Sequence, residues 1–295
     1  MDRLAFLKSL ALWPLLSRAM KLQDFPQITA NLPASEKMPV LFVGHGSPMN
    51  ALEDNPFTRS LRSLGETLRL KQKPSAILVV SAHWLTRGSY VNVSPKPETI
   101  HDFGGFPQAL FDMQYPAPGA PEQAKEAAKL SAFLHESDDW GLDHGAWSIL
   151  LHLFPEADIP VFQMSIDYHQ PMQYHLDLAK ELRALREKGV LLIGSGNIVH
   201  NLRMSMSRFQ TSDPRPFDWA MEFDQWTLDK IQTRDFQALV NYERAGTAGK
   251  LAVPTVDHYV PLLYSLGLAD AKEDIRQTYE EVTFGGISMR TFQVG

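Results

Sequence analysis

The sequence predicts an α/β fold, a single domain of β-sheet flanked by helices, on three observations. Short, wholly apolar runs recur along the chain; helix-length amphipathic stretches separate them; and beyond the first 37 residues there is no second linker, repeat or low-complexity tract. Buried strands are expected at 39–43, 76–81, 159–166 and 190–194, because unbroken apolar strands belong in a sheet covered on both faces. The stretch 286–294 alternates Ile287, Met289, Thr291 and Gln293 with other residues and reads as an edge or antiparallel strand. Helices are expected over 56–70, 121–135, 145–153, 171–188, 218–231 and 257–266. The stretch 171–188 is the clearest, with Leu176, Ala179, Leu182 and Leu185 on one face and Lys180, Arg183 and Glu187 on the other.

With 295 residues, 44% hydrophobic and 21% charged, the chain can bury a sizeable core. A formal net charge of -6 without a basic cluster leaves no electrostatic footprint for nucleic acid. No apolar stretch reaches the roughly 18–20 residues of a membrane span. Cysteine is absent, so a transition metal would need nitrogen and oxygen ligands.

The division expected is an N-terminal extension, 1–37, followed by a main domain, 38–295. Within the extension, Arg3 and Lys8 precede the apolar run Leu10-Ala11-Leu12-Trp13-Pro14-Leu15-Leu16, and Pro26, Asn31, Pro33 and Ser35 read as a linker. The segment is either an amphipathic accessory helix or a degenerate export signal. A second arginine for a twin-arginine motif is missing and no small-x-small cleavage site follows, so a cytoplasmic protein is expected, with export the alternative.

Three of the expected strands run into histidine-bearing turns. Val40-Leu41-Phe42-Val43 leads to Gly44-His45-Gly46-Ser47-Pro48, Ile77-Leu78-Val79-Val80 to Ser81-Ala82-His83-Trp84, and Leu191-Leu192-Ile193 to Gly194-Ser195-Gly196-Asn197-Ile198-Val199-His200. Ligands of open α/β sheets bind beyond the carboxyl ends of the strands, where such histidines could meet. His258, in Thr255-Val256-Asp257-His258-Tyr259, is expected in the first turn of a helix that Thr255 could cap. A single histidine after a strand is more often a capping or hydrogen-bonding residue than a metal ligand. The spacing 45, 83, 200 and 258 matches no compact ligand signature, so pattern alone leaves both readings open.

Asp143 is expected to cap the helix that begins at His144, which is either an acid–base group or a histidine bonding its own loop. The loop Thr99-Ile100-His101-Asp102-Phe103-Gly104-Gly105-Phe106-Pro107 pairs aromatic rings with glycines. It would suit a flat aromatic substrate, with His101, Phe103 and Phe106 as contacts, or be a plain surface turn. His135, His152, His169 and His175 read as surface or core residues. Gly194-Ser195-Gly196 fits neither a nucleophile elbow nor a phosphate loop.

These motifs, in this order, resemble the class III extradiol ring-cleavage dioxygenases of the bacterial 4,5-DOPA type, which include protocatechuate 4,5-dioxygenase among their wider relatives. The resemblance rests on Gly44–Asn50, Ser81–Trp84, the 99–107 loop, Tyr115-Pro116-Ala117-Pro118-Gly119, Asp143-His144-Gly145, Gly196-Asn197 with His200-Asn201, and Asp257-His258-Tyr259. It spans 38–295 and implies one α/β domain around a central mixed sheet.

The resemblance further implies metal ligation by His45, His83 and His258, with His200 a fourth ligand or a base, and His144 a catalytic histidine beside the metal. Asp257 stands where many relatives have glutamate, and more distant ones complete the ligand set with a carboxylate, so Asp257 competes with His258 as last ligand. The implied substrates are a catechol such as L-DOPA and O2. Fe2+ is the expected active metal, since Zn2+ has no redox chemistry, although Zn2+ binds such sites more tightly and can occupy the isolated protein. The chain is expected to act as a monomer or homodimer. Two alternatives stand beside this: a zinc hydrolase on the same histidines, and a Memo-like binding protein without turnover.

Overall fold

The computed structural model describes residues 37–295 apart from Ser212, so the N-terminal segment, all but its last residue, lies outside the described part. The described residues form ten strands, β1 (Val40–Gly44), β2 (Ala76–Thr86), β3 (Ser89–Asn92), β4 (Leu134–Ser137), β5 (Val161–Asp167), β6 (Val190–Gly196), β7 (Ile275–Tyr279), β8 (Val282–Thr283), β9 (Ile287–Ser288) and β10 (Thr291–Val294). Eight of them form one sheet in the order β4-β3-β5-β2-β6-β1-β10-β7, and β8 pairs only with β9. The centre, β5-β2-β6-β1, is parallel; β10 and β7 on one side and the β3–β5 contact on the other are antiparallel. The sheet is therefore mixed, and the protein is α/β.

Both faces are covered, which is why the central strands are apolar throughout. Val40, Phe42, Leu78, Phe162 and Leu192 face helices Met172–Glu181 and Val260–Gly267. The alternate residues Leu41, Val43, Ile77, Val79 and Ile193 face helices Pro56–Lys71 and His144–Leu153. This is the two-residue period of a strand distributing its side chains to opposite sides.

Several elements depart from the sequence expectation. The 171–188 helix is broken into Met172–Glu181 and Ala184–Glu187. In the second piece Arg186 is fully buried, with its guanidinium donating to the Met38 and Leu268 carbonyls and to the Glu273 carboxylate. The 121–135 helix stops at Leu130, because 134–137 is taken up as edge strand β4. The 286–294 stretch is two strands, and its second half, β10, lies inside the sheet between β1 and β7. Among the described residues no helix is long and apolar enough to cross a membrane.

Sheet order is what positions the histidines. Strands β1 and β2 flank β6 and all three run parallel, so their carboxyl ends open on one edge of the sheet. Strand β2 does not end before His83, as the sequence suggested. It runs on to Thr86, and between Val80 and Leu85 it advances five positions while β5 advances two, from Met164 to Ile166. This bulge lifts Ser81–Trp84 off the regular ladder and redirects the strand at His83.

Candidate metal centre

His45, His83 and His258 form a nearly equilateral triangle, with ring centroids 5.1 Å apart for His45–His83, 5.3 Å for His45–His258 and 5.0 Å for His83–His258. His45 follows β1 directly, and its backbone N–H donates to the Gly196 carbonyl, 3.1 Å away, at the end of β6. His258 arrives from the far end of the chain. It lies in the turn before helix Val260–Gly267 and not in that helix's first turn as expected, and the Asn197 N–H donates to its carbonyl at 2.8 Å.

The approach of this turn explains the Gly194-Ser195-Gly196 sequence. A Cβ on Gly196 would lie 2.2 Å from the His258 carbonyl oxygen, and one on Gly194 would lie 2.3 Å from that of Pro261. Neither gap accommodates a side chain, so the glycines let the 258–261 backbone rest on the end of β6.

Each ring of the triangle has an oxygen partner beside its Nδ1. His45 Nδ1 is 3.0 Å from Ser195 Oγ, His83 Nδ1 is 3.4 Å from Asp102 Oδ2, and His258 Nδ1 bonds the Asp257 carboxylate. For His45 the tautomer follows from counting protons. Ser195 has one hydroxyl hydrogen and gives it to the Gly145 carbonyl at 2.5 Å, so Ser195 Oγ must accept from His45 Nδ1–H. His45 Nε2 then carries a bare lone pair, and it lies 3.3 Å from His83 Nε2.

Burial first, and then the neighbouring histidines, hold His45 and His83 well below the ordinary histidine pKa, so both rings are neutral. A proton on His83 Nδ1, 3.4 Å from the Asp102 carboxylate, would set two lone pairs face to face. A shared cation would relieve that repulsion, and nitrogens 3.3 Å apart are close enough for one ion to bond both at metal–nitrogen distances of about 2.0–2.1 Å. Anchored Nδ1 atoms with free Nε2 atoms are the usual arrangement of metal-binding histidines. The donor set fits a transition metal.

Two further histidines border the triangle. His200 stacks on His258 with ring centroids 3.5 Å apart and planes 6° from parallel, and burial together with His258 lowers its pKa. His144 begins helix His144–Leu153, capped by Asp143 as expected, and its ring lies 3.9 Å from that of His83. Donor atoms of His45, His83 and His144 lie within 4.8 Å of one another, and so do those of His200, Asp257 and His258. These two groupings differ from the triangle, yet the ring distances to His258 join them into one cluster. Asp257 stays beside the ring it orients.

Asp102 and Ser195 were not singled out as site residues by the sequence. Asp102 accepts the His144 backbone N–H at 2.9 Å through Oδ1, while its Oδ2 lies 2.9 Å from His144 Nδ1 and 3.4 Å from His83 Nδ1. The His144 contact is close but poorly aligned, leaving that buried Nδ1 without a proper hydrogen bond. Burial alone would raise the Asp102 pKa; the nearby His144 ring and the bond from the His144 backbone N–H outweigh it and the net shift is downward. Asp143 is fully enclosed and accepts from Ser81 Oγ, Gln163 Nε2, Trp140 Nε1 and the Ala146 N–H. No spacing rule links Asp102 to His83 or His144, so only the fold reveals it.

The aromatic loop reaches the cluster. Phe103 meets His144 edge-on at 5.6 Å and Phe106 at 5.4 Å, whereas His101 bonds the Met113 carbonyl at 3.0 Å and packs on Trp147. Phe106, Met49 and Met289 line an apolar cleft of ≈ 720 Å³ that contains none of the histidines. A second cleft, ≈ 740 Å³, is lined by His200, Asp257 and His258, while His45, His83, His144 and Phe103 line neither cleft.

Residues 39–291 match the family model described as the catalytic LigB subunit of aromatic ring-opening dioxygenase. The chain is 44% identical over 277 residues, 92% of its length and 99% of the other, to an Escherichia coli (strain K12) protein named 4,5-DOPA dioxygenase extradiol. A Beta vulgaris protein of the same name is 39% identical over 234 residues, covering 77% of this chain and 85% of that one. Among solved structures, an uncharacterized Escherichia coli K12 protein superposes with a TM-score of 0.76 at 40% identity, covering 88% of this chain and 100% of that one.

Proposed function

The chain belongs to the LigB family of aromatic ring-opening dioxygenases, an enzyme family of the extradiol type, and from that we propose that it cleaves catechols such as L-DOPA with O2. The observation that carries this reading is the His45–His83–His258 triangle, each ring with an oxygen beside its Nδ1 and with His45 Nε2 3.3 Å from His83 Nε2, beside a loop of aromatic rings.

In this reading His45, His83 and His258 hold the metal, and Fe2+ is the active ion. Bound there, Fe2+ would supply a redox path between ring and oxygen that Zn2+ lacks. The remaining work falls to the chain. His200, uncharged and stacked on His258, accepts a catechol proton. His144 is held at its backbone by Asp102 while its ring is loosely partnered, which suits a group that must pass a proton on to the cleaving bond. Phe103, edge-on to His144, offers a flat wall to the substrate ring, with Phe106 packed behind it and His101 bracing the loop that carries both.

Residues 1–37 are taken as an accessory extension of a cytoplasmic enzyme that acts as a monomer or homodimer. The test of the central reading is oxygen uptake. Iron-reconstituted protein should consume O2 with L-DOPA and release a yellow ring-opened product, and zinc-loaded protein should do neither. Equal turnover with both metals would overturn the redox mechanism.

A further inference from the structure

The cleft that opens onto His200 and His258 also carries two cations, Arg203 from helix Leu202–Thr211 and Lys250 from helix Gly246–Ala252. Among the described residues neither forms an ion pair, while the nearby Arg208 and Arg215 both pair with Asp213. The one carboxylate lining this cleft, Asp257, is already bonded to His258 Nδ1 and to Thr255. A chain of net charge -6 thus presents two uncompensated positive charges in the cleft that His200 and His258 also line. Such a local field attracts an anion that the molecule as a whole repels.

We propose that Arg203 and Lys250 bind the side-chain carboxylate of the aromatic substrate, so that the enzyme selects catechols bearing an anionic tail. The proposal rests on the ring-opening reading for its catechol part. The chemistry it needs is simple. A guanidinium and an ammonium donate charge-assisted hydrogen bonds to one carboxylate, and histidines of the cluster share the wall of the same cleft. A single exposed ion pair discriminates weakly. Two cations in one recess act together, and charged hydrogen bonds of this kind are worth about tenfold or more in affinity.

The test uses the metal-loaded enzyme and three catechols that differ in tail charge: 3,4-dihydroxyphenylpropionate, 4-methylcatechol and dopamine. The ratio of kcat/KM for the acid to that for 4-methylcatechol should fall about tenfold in Arg203→Gln and in Lys250→Gln, through KM. Lys250→Glu should move the preference toward dopamine. A purely structural effect would lower all three substrates together and leave the ratio fixed, and a fixed ratio in both glutamine variants overturns the proposal. If the wild type turns over none of the three and L-DOPA neither, the ring-opening reading fails instead. Calorimetric binding of 3,4-dihydroxyphenylpropionate then decides the carboxylate site alone: weaker binding in the variants upholds it, and equal binding removes it.

Discussion

Ser195 sets the tautomer of His45. Its hydroxyl proton is committed to the Gly145 carbonyl, so it can only accept from His45 Nδ1, and the Nε2 lone pair is turned toward His83. A partner of this kind is typically worth about 10–100-fold in metal affinity or activity. Ser195→Ala should therefore bind iron about tenfold or more weakly while its fold is retained, as read by iron titration and circular dichroism. Wild-type affinity in that variant would mean that His45 needs no such partner.

Asp102 touches two histidines at once, and Asn in its place keeps the shape but loses the charge. Asp102→Asn is expected to lower turnover with L-DOPA by about 10–100-fold. The backbone N–H of His144 can still donate to the amide oxygen, so helix His144–Leu153 should remain in place. Steady-state kinetics together with a thermal melt separate the two effects, and unchanged turnover would return Asp102 to a structural role.

The cluster holds five histidines, and removing a ligand differs thermodynamically from removing a proton carrier. His83→Ala should lose the metal. His144→Ala should keep iron and lose about two orders of magnitude or more in turnover, equivalent to about 3 kcal/mol of barrier. His200→Ala is the informative comparison. Retained iron with slow turnover marks it as a base, and lost iron marks it as a ligand. Iron titration followed by single-turnover kinetics makes the distinction.

His175 lies away from the cluster, buried, with Nδ1 3.1 Å from the Tyr264 hydroxyl. Desolvation lowers its pKa to about 4. Between the unfolded value near 6.5 and about 4, the unfolded chain holds a proton that the native one does not. Stability is therefore full above about pH 6.5 and falls as the pH drops toward 4, by about 3 kcal/mol at the limit. His45, His83 and His200 contribute in the same direction in metal-free protein. The difference between wild type and His175→Gln isolates this one group. Urea unfolding from pH 7 to 4.5 should give a shallower loss in the variant, and parallel curves would contradict the assignment.

The sequence by itself determined the central strands, because Val40–Val43, Ile77–Val80 and Leu191–Ile193 are apolar at every position, and only a sheet covered on both sides buries such runs. It also determined that Asp143 would cap the helix at His144, since capping is a contact between residues three apart. The histidines of the cluster were legible one by one as residues at strand exits and turns. That they face a common space was decided by the sheet order β2-β6-β1, which no local periodicity encodes.

The tertiary structure alone decided the partners. Asp102 meets His83 and His144 across loops distant in sequence, Ser195 meets Gly145 and His45 from a third strand, and His258 reaches β6 through space left by two glycines. The same holds where the sequence pattern misled. Helix 171–188 breaks to bury Arg186 among carbonyls from Met38 and Leu268, and β2 bulges past Val80 against β5. Helix and strand patterns record which face of a segment is buried. Which segments meet there depends on contacts between residues far apart in the chain, and those set the protonation and orientation of every histidine in the cluster.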